Sequence, residues 1–376
     1  MKIFIRGLAI LLACLPGSCA YGLASETVSA ADSSINIHIG KARQFFYRSK
    51  PDSMFLELAA ARTLSRHSGS KRGLAEVKIV TGDFCLKNSL LGRADSSFRD
   101  ALALLDTSAA SKVLKGELFA GLSMVFFRRR SYPEALEYGR DAVAMFSHAG
   151  STSSLAQAYM QLSAILNRLN RSREAEKLIL KQALPLFRSA GNTPARVGCF
   201  NVLGDLYDTM NRNSEAKWFF IQANTLGRSL SNTPAIVESL VKLGKIKTRI
   251  GDYQLAQRDF SEAQSLATSG GLLSLLSSVH DERSTLYGKT GETVAAEKER
   301  SLAAYWKRLA DRLEKKQAAG ALHYVNNFEN EPPAIVENKK PGKVAHPMPV
   351  KLIWPYIVIF VLIVAAIILI LKFKRK

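Results

Sequence analysis

Alanine returns at an almost constant step through this chain, with intervals of 40, 41, 40 and 40 residues. These alanines are Ala135, Ala175, Ala216, Ala256 and Ala296. A second alanine follows seven residues after each, except at Gln182, giving Ala142, Ala223, Ala263 and Ala303. The residue twelve positions before each is small: Ser123, Ser163, Gly204, Gly244 and Ser284. Three small-residue series in phase indicate one structural unit copied in tandem, which favours binding over catalysis.

Each copy has the pattern of two amphipathic helices. In the clearest copy, four residues lie at i, i+3, i+4 and i+7 and share one helical face, namely Phe200, Leu203, Gly204 and Tyr207. A polar turn follows, and then a second apolar face with Ala216, Phe220 and Ala223. Small residues at fixed points let the two helices approach closely, and large residues fill the space between them. A helix pair cannot bury its outer faces alone, so we expect the copies to stack.

These positions resemble those of the tetratricopeptide repeat (TPR), although the period is near 40 rather than 34. The resemblance implies an all-α, right-handed superhelical solenoid over residues 34–318, with six to seven helix pairs. It is clearest between Gly116 and Gly271. Towards the N-terminus, degenerate copies are indicated by Ala94, Phe98 and Ala101, and by Phe55, Leu56, Ala59 and Ala60. Near the C-terminal end of the array, His280 and Arg283 stand where apolar residues belong.

In the family that this chain resembles, the first helix of each pair lines a concave groove that binds a protein or peptide. The resemblance carries that role to ten positions: Glu117, Met124, Gln157, Met160, Asn167, Asn201, Asp205, Asp208, Glu238 and Lys245. Some relatives grip a peptide carboxylate with a lysine and asparagine clamp. Asp205 and Asp208 stand where clamp residues would, which argues against that mode. The alternative is that each position is a solvated polar residue.

Catalytic chemistry has no recognisable motif in the sequence. The six histidines lack metal-ligand spacing, and no HExxH, GxSxG, phosphate loop or dinucleotide-binding glycine motif occurs. Cys85 and Cys199 lie about three repeats apart, too far for a disulfide. We therefore predict no enzyme activity, catalytic residue, cofactor or metal.

The chain carries a net charge of +20. An acidic partner is one interpretation, and a solvated basic surface is the other. We favour the second, because lysine and arginine are spread along the array without a basic arm or an aromatic-interleaved groove. Nucleic acid binding is not expected, and self-association is left open.

Both ends of the chain have the pattern of targeting segments. Residues 1–24 combine a positive start, a short apolar stretch and small residues, which predicts a signal peptide. Residues 353–371 form an uncharged apolar run that predicts a transmembrane helix, followed by a basic stub at 372–376. Residues 319–350 are predicted to be a proline-rich linker. Together these segments predict a single-pass inner-membrane protein with its repeats in the periplasm.

This organisation resembles the exported TPR sensor portion of bacterial envelope signalling regulators, without their kinase or helix-turn-helix output domain. The resulting hypothesis is a membrane-anchored interaction scaffold or sensor that works with a separate signalling partner. The alternative is an envelope assembly or transport adaptor that binds secreted or outer-membrane proteins.

Overall fold

The computed structural model describes residues 30–106, 108 and 111–330, which form fifteen α-helical segments and one π-helical turn. Within these residues the helices pair into seven antiparallel hairpins. The pairs are α1 (Ala30–Tyr47) with α2 (Pro51–Ser68), α3 (Lys71–Lys87) with α4 (Leu91–Leu104), α5 (Lys112–Arg128) with α6 (Tyr132–Ala149), α7 (Thr152–Arg168) with the composite helix α8 (Ser172–Leu178), π turn (Ile179–Ala183) and α9 (Leu184–Ser189), α10 (Thr193–Thr209) with α11 (Asn213–Ser229), α12 (Thr233–Ile250) with α13 (Tyr253–Ser269), and α14 (Leu273–Thr290) with α15 (Thr293–Asn330). The expected all-helical fold is confirmed for these residues.

The hairpins stack in chain order, because the second helix of each also contacts the first helix of the next. Their cores are contiguous clusters of buried aliphatic and aromatic side chains. Each hairpin buries its outward apolar face against its neighbours, as expected for a solenoid.

Two kinds of close approach explain the small-residue series. At Gly244, a Cβ atom would lie 2.5 Å from Cε1 of Phe260 on the facing helix, so the phenyl ring occupies the space that a side chain would need. At Ser163, the hydroxyl donates a hydrogen bond of 2.6 Å to the carbonyl of Ala175. This bond joins residues twelve positions apart on the two helices, which is the spacing found in the sequence. The repeat signature therefore marks contacts within a hairpin.

A π-helical turn at Ile179–Ala183 interrupts the second helix of the fourth hairpin. A π turn holds one residue more than the α-helical turn that it replaces. This insertion accounts for the single interval of 41 residues, from Ala175 to Ala216. It also accounts for Gln182, because the buried position has moved by one residue to Ala183, which is fully buried.

The last helix, α15, runs to Asn330, so residues 319–330 of the predicted linker are helical and that boundary is corrected. The physical reason is apolar spacing: Ala321, Val325 and Phe328 lie at i, i+4 and i+7 and are buried against the first hairpins. The remaining linker residues, 331–350, lie outside the described residues.

The predicted localisation is also corrected. Among the described residues, no helix has the length and apolar character needed to cross a membrane. Helices such as α7 and α12 are instead amphipathic, with polar residues along one side and an apolar face packed against neighbouring hairpins. The prediction of a single-pass inner-membrane protein with a periplasmic array is therefore wrong on this structure. The segments that suggested it, 1–24, 353–371 and 372–376, lie outside the described residues.

Candidate functional site

The first helices of successive hairpins contact one another, so they form the closely spaced inner row of the solenoid. A stack of hairpins bends towards the side on which its helices are closest together. This geometry makes the first helices, from α1 to α14, the concave side, and places the exposed side chains of these helices in a shared groove.

An apolar niche lies in the middle of this groove, between α5, α7 and α10. It has a volume of about 190 Å³ and is lined mainly by Met124, Phe127, Met160, Ala164 and Val202. Methionine side chains are flexible and polarisable, and they adapt to ligands of different shapes. The niche brings together three of the residues that the sequence suggested for the groove, Met124, Gln157 and Met160.

A larger cavity of about 380 Å³, the charged cavity, lies beside the niche and is lined by residues of α1, α3, α5 and α7. Met124, Gln157 and Gln161 line both cavities, so the two are continuous along α5 and α7. The predicted groove residue Glu117 lies in the charged cavity and accepts a hydrogen bond of 2.8 Å from Arg43 Nη2.

Asp83 is the second carboxylate in the charged cavity. Burial raises the pKa of Asp83 to about 7, with the Arg43 charge opposing this shift and the Glu117 charge adding to it. A carboxyl group with this pKa is partly protonated near neutral pH.

Further along the groove, the charged residues pair with one another. Lys242 on α12 lies 2.9 Å from Asp205 on α10 and 2.9 Å from Glu238 on its own helix. Burial opposes the charge of Lys242, but the two carboxylates outweigh this effect and raise its pKa. Asp205 and Glu238 thus hold a lysine that the sequence analysis did not select.

Asp208 has a similar role one helical turn later. It lies 3.1 Å from Lys245 Nζ and 2.6 Å from Arg249 Nη1, both on α12. Burial would raise the pKa of Asp208, but hydrogen bonds from Arg249 and Lys245 outweigh it and lower the pKa. These pairs link two successive hairpins through their first helices, α10 and α12.

The two asparagines among the predicted groove residues are placed differently. Asn167 accepts a hydrogen bond of 3.1 Å from Ser172 across the turn between α7 and α8. Asn201 is only 8% exposed, and its amide oxygen has no hydrogen-bond partner among the described residues. Neither residue lines the two cavities described above.

Three solved structures resemble this architecture. The apo form of RapI shares 12% identity, over 74% of this chain and 99% of that one, with a TM-score of 0.60. A Rap protein complexed with competence and sporulation factor also shares 12% identity, over 79% and 98%, with a TM-score of 0.57. A signal transduction ATPase with a tetratricopeptide repeat sensor from Pyrococcus horikoshii shares 13% identity, over 79% of this chain and 43% of that one, with a TM-score of 0.55.

No protein-family model and no curated protein matches the chain. The sequence identities of all three structures are far too low for function to be transferred, so these comparisons show the fold alone.

The chain has the fold of tetratricopeptide repeat proteins. Two of the likenesses cover nearly the whole of the other chain, so the shared feature is the arrangement of the complete hairpin array and not one repeat. The TPR resemblance drawn from the small-residue series is thereby confirmed.

One position of the TPR unit supplies residues to both cavities and to the ion pairs. Its occupants follow one another at steps of 40 or 41 residues: Arg43, Asp83, Met124, Ala164, Asp205 and Lys245. The sequence analysis missed Arg43 and Asp83, although extending the period backwards from Met124 reaches both.

The period is harder to recognise in the first hairpin because one of its three small residues is replaced, although Ala42 and Ala61 keep the period. The residues of α2 that are fully buried include Met54, Leu58 and Ala61, whereas Leu56 is 73% exposed. Met54 stands where later copies have alanine. The residues assigned to this copy from the sequence are therefore out of phase with the 40-residue period. The small residue of the second copy, Gly82, does keep the period.

Proposed function

We propose that this TPR protein is an interaction scaffold or sensor that binds a peptide segment of a partner protein in its concave groove. The observation that carries the proposal is the continuity of the apolar niche and the charged cavity along α5 and α7. Concave sites that combine apolar walls with a few polar groups are typical of ligand binding. A Rap protein with this fold was solved with a bound factor, which supports the proposal by analogy.

The side chains of the groove suit an extended peptide. The niche around Met124 and Met160 would take an apolar side chain. Gln157 and Gln161 lie one helical turn apart on α7 and line both cavities. Their amide groups offer both donors and acceptors, which is the chemistry that a peptide main chain requires.

The test is selection of a random hexapeptide library displayed on phage against the purified full-length chain. Selected peptides are then measured by isothermal titration calorimetry against Met160→Glu, which places a charge in the niche. We expect binding to weaken at least about tenfold, equivalent to about 1.4 kcal/mol. The matched control is Leu255→Glu, on the outer helix α13, where the side chain is already 44% exposed.

Selected peptides that bind Met160→Glu and wild type equally well would place the site elsewhere. A failure to enrich any peptide sequence would count against peptide binding itself. Weaker binding to both variants would point to a general loss of structure, and the groove assignment would then have no support.

A further inference from the structure

The charged cavity contains an unequal number of opposite charges. Two carboxylates, Asp83 and Glu117, line it together with one guanidinium, that of Arg43. The guanidinium is hydrogen-bonded to Glu117 at 2.8 Å, and it acts on Asp83 through its charge alone. Arg43 and Glu117 thus neutralise each other, and Asp83, when it is ionised, carries the unbalanced charge of the cavity.

The rest of the cavity wall is uncharged. Phe146, Phe187 and Ala158 provide apolar surface, and Gln157 and Gln161 provide amide groups. Long basic side chains pack their methylene groups on apolar surface while the charged end reaches a polar partner. A cavity of about 380 Å³ with an apolar wall and one unbalanced carboxylate has the shape and charge for such a side chain.

We infer that the charged cavity recognises a lysine or arginine side chain of the peptide held in the groove, with Asp83 as the ion-pair partner. This inference rests on the proposed function and adds a specificity to it: one basic residue near one apolar residue. An acidic side chain is disfavoured, because it would have to displace Glu117 from Arg43 and approach Asp83.

Binding of a cation has a second consequence at Asp83. Burial raises the pKa of Asp83 to about 7, and the charges that act on it come from Arg43 on α1 and Glu117 on α5. The other titratable group that lines the cavity is the phenol of Tyr47. A basic side chain favours the ionised carboxylate. At pH 7, binding should therefore release about half a proton from Asp83.

The probes are three sets of acetylated, amidated hexapeptides that contain one leucine, one variable residue and alanine elsewhere. The variable residue is lysine, glutamine or glutamate, at every separation from the leucine. Affinities for the full-length chain are measured at pH 8 by fluorescence anisotropy. We expect the best lysine peptide to bind at least about tenfold more tightly than its glutamine counterpart, and the glutamate peptide to bind most weakly.

The variant that tests the role of Asp83 is Asp83→Asn, with Asp100→Asn as its control. Asp100 lies outside the cavity on α4, is 51% exposed and pairs with Lys78. Asp83→Asn should abolish the preference for lysine over glutamine while retaining affinity for the glutamine peptides. Calorimetry of the lysine peptide in two buffers of different ionisation enthalpy should show proton release with wild type and none with Asp83→Asn.

Equal affinity for lysine and glutamine peptides would overturn this inference and leave the proposed function intact, provided that binding still depends on Met160. A preference that survives in Asp83→Asn would also overturn it. Tighter binding of glutamate peptides would assign the cavity to acidic side chains instead. If none of the probes binds wild type, the inference is wrong, and the phage selection decides the proposed function separately.

Discussion

His280 and Arg283 break the apolar pattern of the last repeat, and their contacts explain why the fold accepts them. Both face Glu299 on the opposite helix of the hairpin, at 2.6 Å from His280 Nδ1 and 2.9 Å from Arg283 Nη2. Arg283 Nη1 also donates to Gln264 on α13, at 2.7 Å. All three members of the cluster are buried. Buried polar side chains can replace apolar ones here because each is hydrogen-bonded to another polar side chain.

Breaking this cluster should be costly. In Glu299→Gln, the guanidinium of Arg283 stays buried without a counter-charge, so we expect the free energy of unfolding to fall by about 3 kcal/mol. The control is Glu297→Gln, which removes an exposed ion pair with Arg300 and should cost less than about 0.5 kcal/mol. Urea denaturation followed by circular dichroism compares the two. Equal losses would show that the buried cluster contributes no more than a surface pair.

Asp83 should make stability depend on pH. Its pKa is raised to about 7 in the folded chain, so its contribution to stability is fully present below the unfolded value near pH 4 and is lost as the pH rises through 7. Asp83→Asn removes this loss. Relative to wild type we expect it to be more stable by on the order of 2 kcal/mol at pH 8, and little changed at pH 4.

The measurement is the difference in urea stability between Asp83→Asn and wild type at each pH. Asp100→Asn should give a nearly flat difference over the same range, because its carboxylate is exposed. A flat difference for Asp83→Asn as well would mean that water reaches this carboxyl group freely.

At the scale of the helix, the fourth hairpin shows how one extra residue is absorbed. The π turn at Ile179–Ala183 lets the second helix keep both of its contact faces although the repeat is one residue longer. Ala175 before the turn and Ala183 after it are both fully buried. The insertion therefore changes the local winding and leaves the packing of the hairpin unchanged.

Single-residue deletions test this account. Deleting Gln182 should convert the π turn to regular helix and restore the usual spacing of seven, so we expect a change in stability within about 1 kcal/mol. Deleting Gln222 in the uninterrupted helix α11 should instead rotate the residues that follow, including the buried Ala223, out of the core. A loss of about 3 kcal/mol or more is expected there. Thermal melting compares the two, and equal losses would contradict the compensating role of the π turn.

At the scale of the whole molecule, α15 joins the last hairpin to the first two. Residues 311–317 of this helix are exposed, as in a helix that bridges two parts of a protein through solvent. Its end then packs on the first hairpins, where the ring of Phe328 lies 5.3 Å from that of Phe55 and its carbonyl accepts a hydrogen bond of 2.6 Å from Arg62. Arg93 adds an ion pair of 2.9 Å to Glu329.

Removing the Phe328 side chain should release this end of α15. In Phe328→Ala we expect amide hydrogen exchange to accelerate in residues 319–330 and in α2, with a local loss of about 3 kcal/mol. Exchange in α10 to α13 should stay as in wild type. The control is Leu313→Ala in the exposed part of the same helix. Unchanged exchange in residues 319–330 would show that the contact does not hold the helix end.

The sequence reveals those features that depend on contacts between residues close along the chain. Ser163 and Ala175 meet within one hairpin, so their spacing recurs with every copy and can be recognised without coordinates. For the same reason, extending the period would have reached Asp83 as well as Met124. What the period leaves open is the set of partners: Glu117 could be placed in the groove, but its pairing with Arg43 spans 74 residues and joins non-adjacent hairpins.

The sequence alone determined that this protein is a stack of helical hairpins, because small residues at a fixed step dictate how each hairpin closes. The groove along the first helices was implied by the TPR resemblance. The tertiary structure decided the rest. It determined which charged residues of the groove pair with one another and that Asp83 lies in a cavity beside the Arg43–Glu117 pair. It also brought Phe328 into contact with Arg62, 266 residues away along the chain. The contact between Arg62 and Phe328 depends on the curvature accumulated over all the hairpins, and no single repeat encodes that curvature.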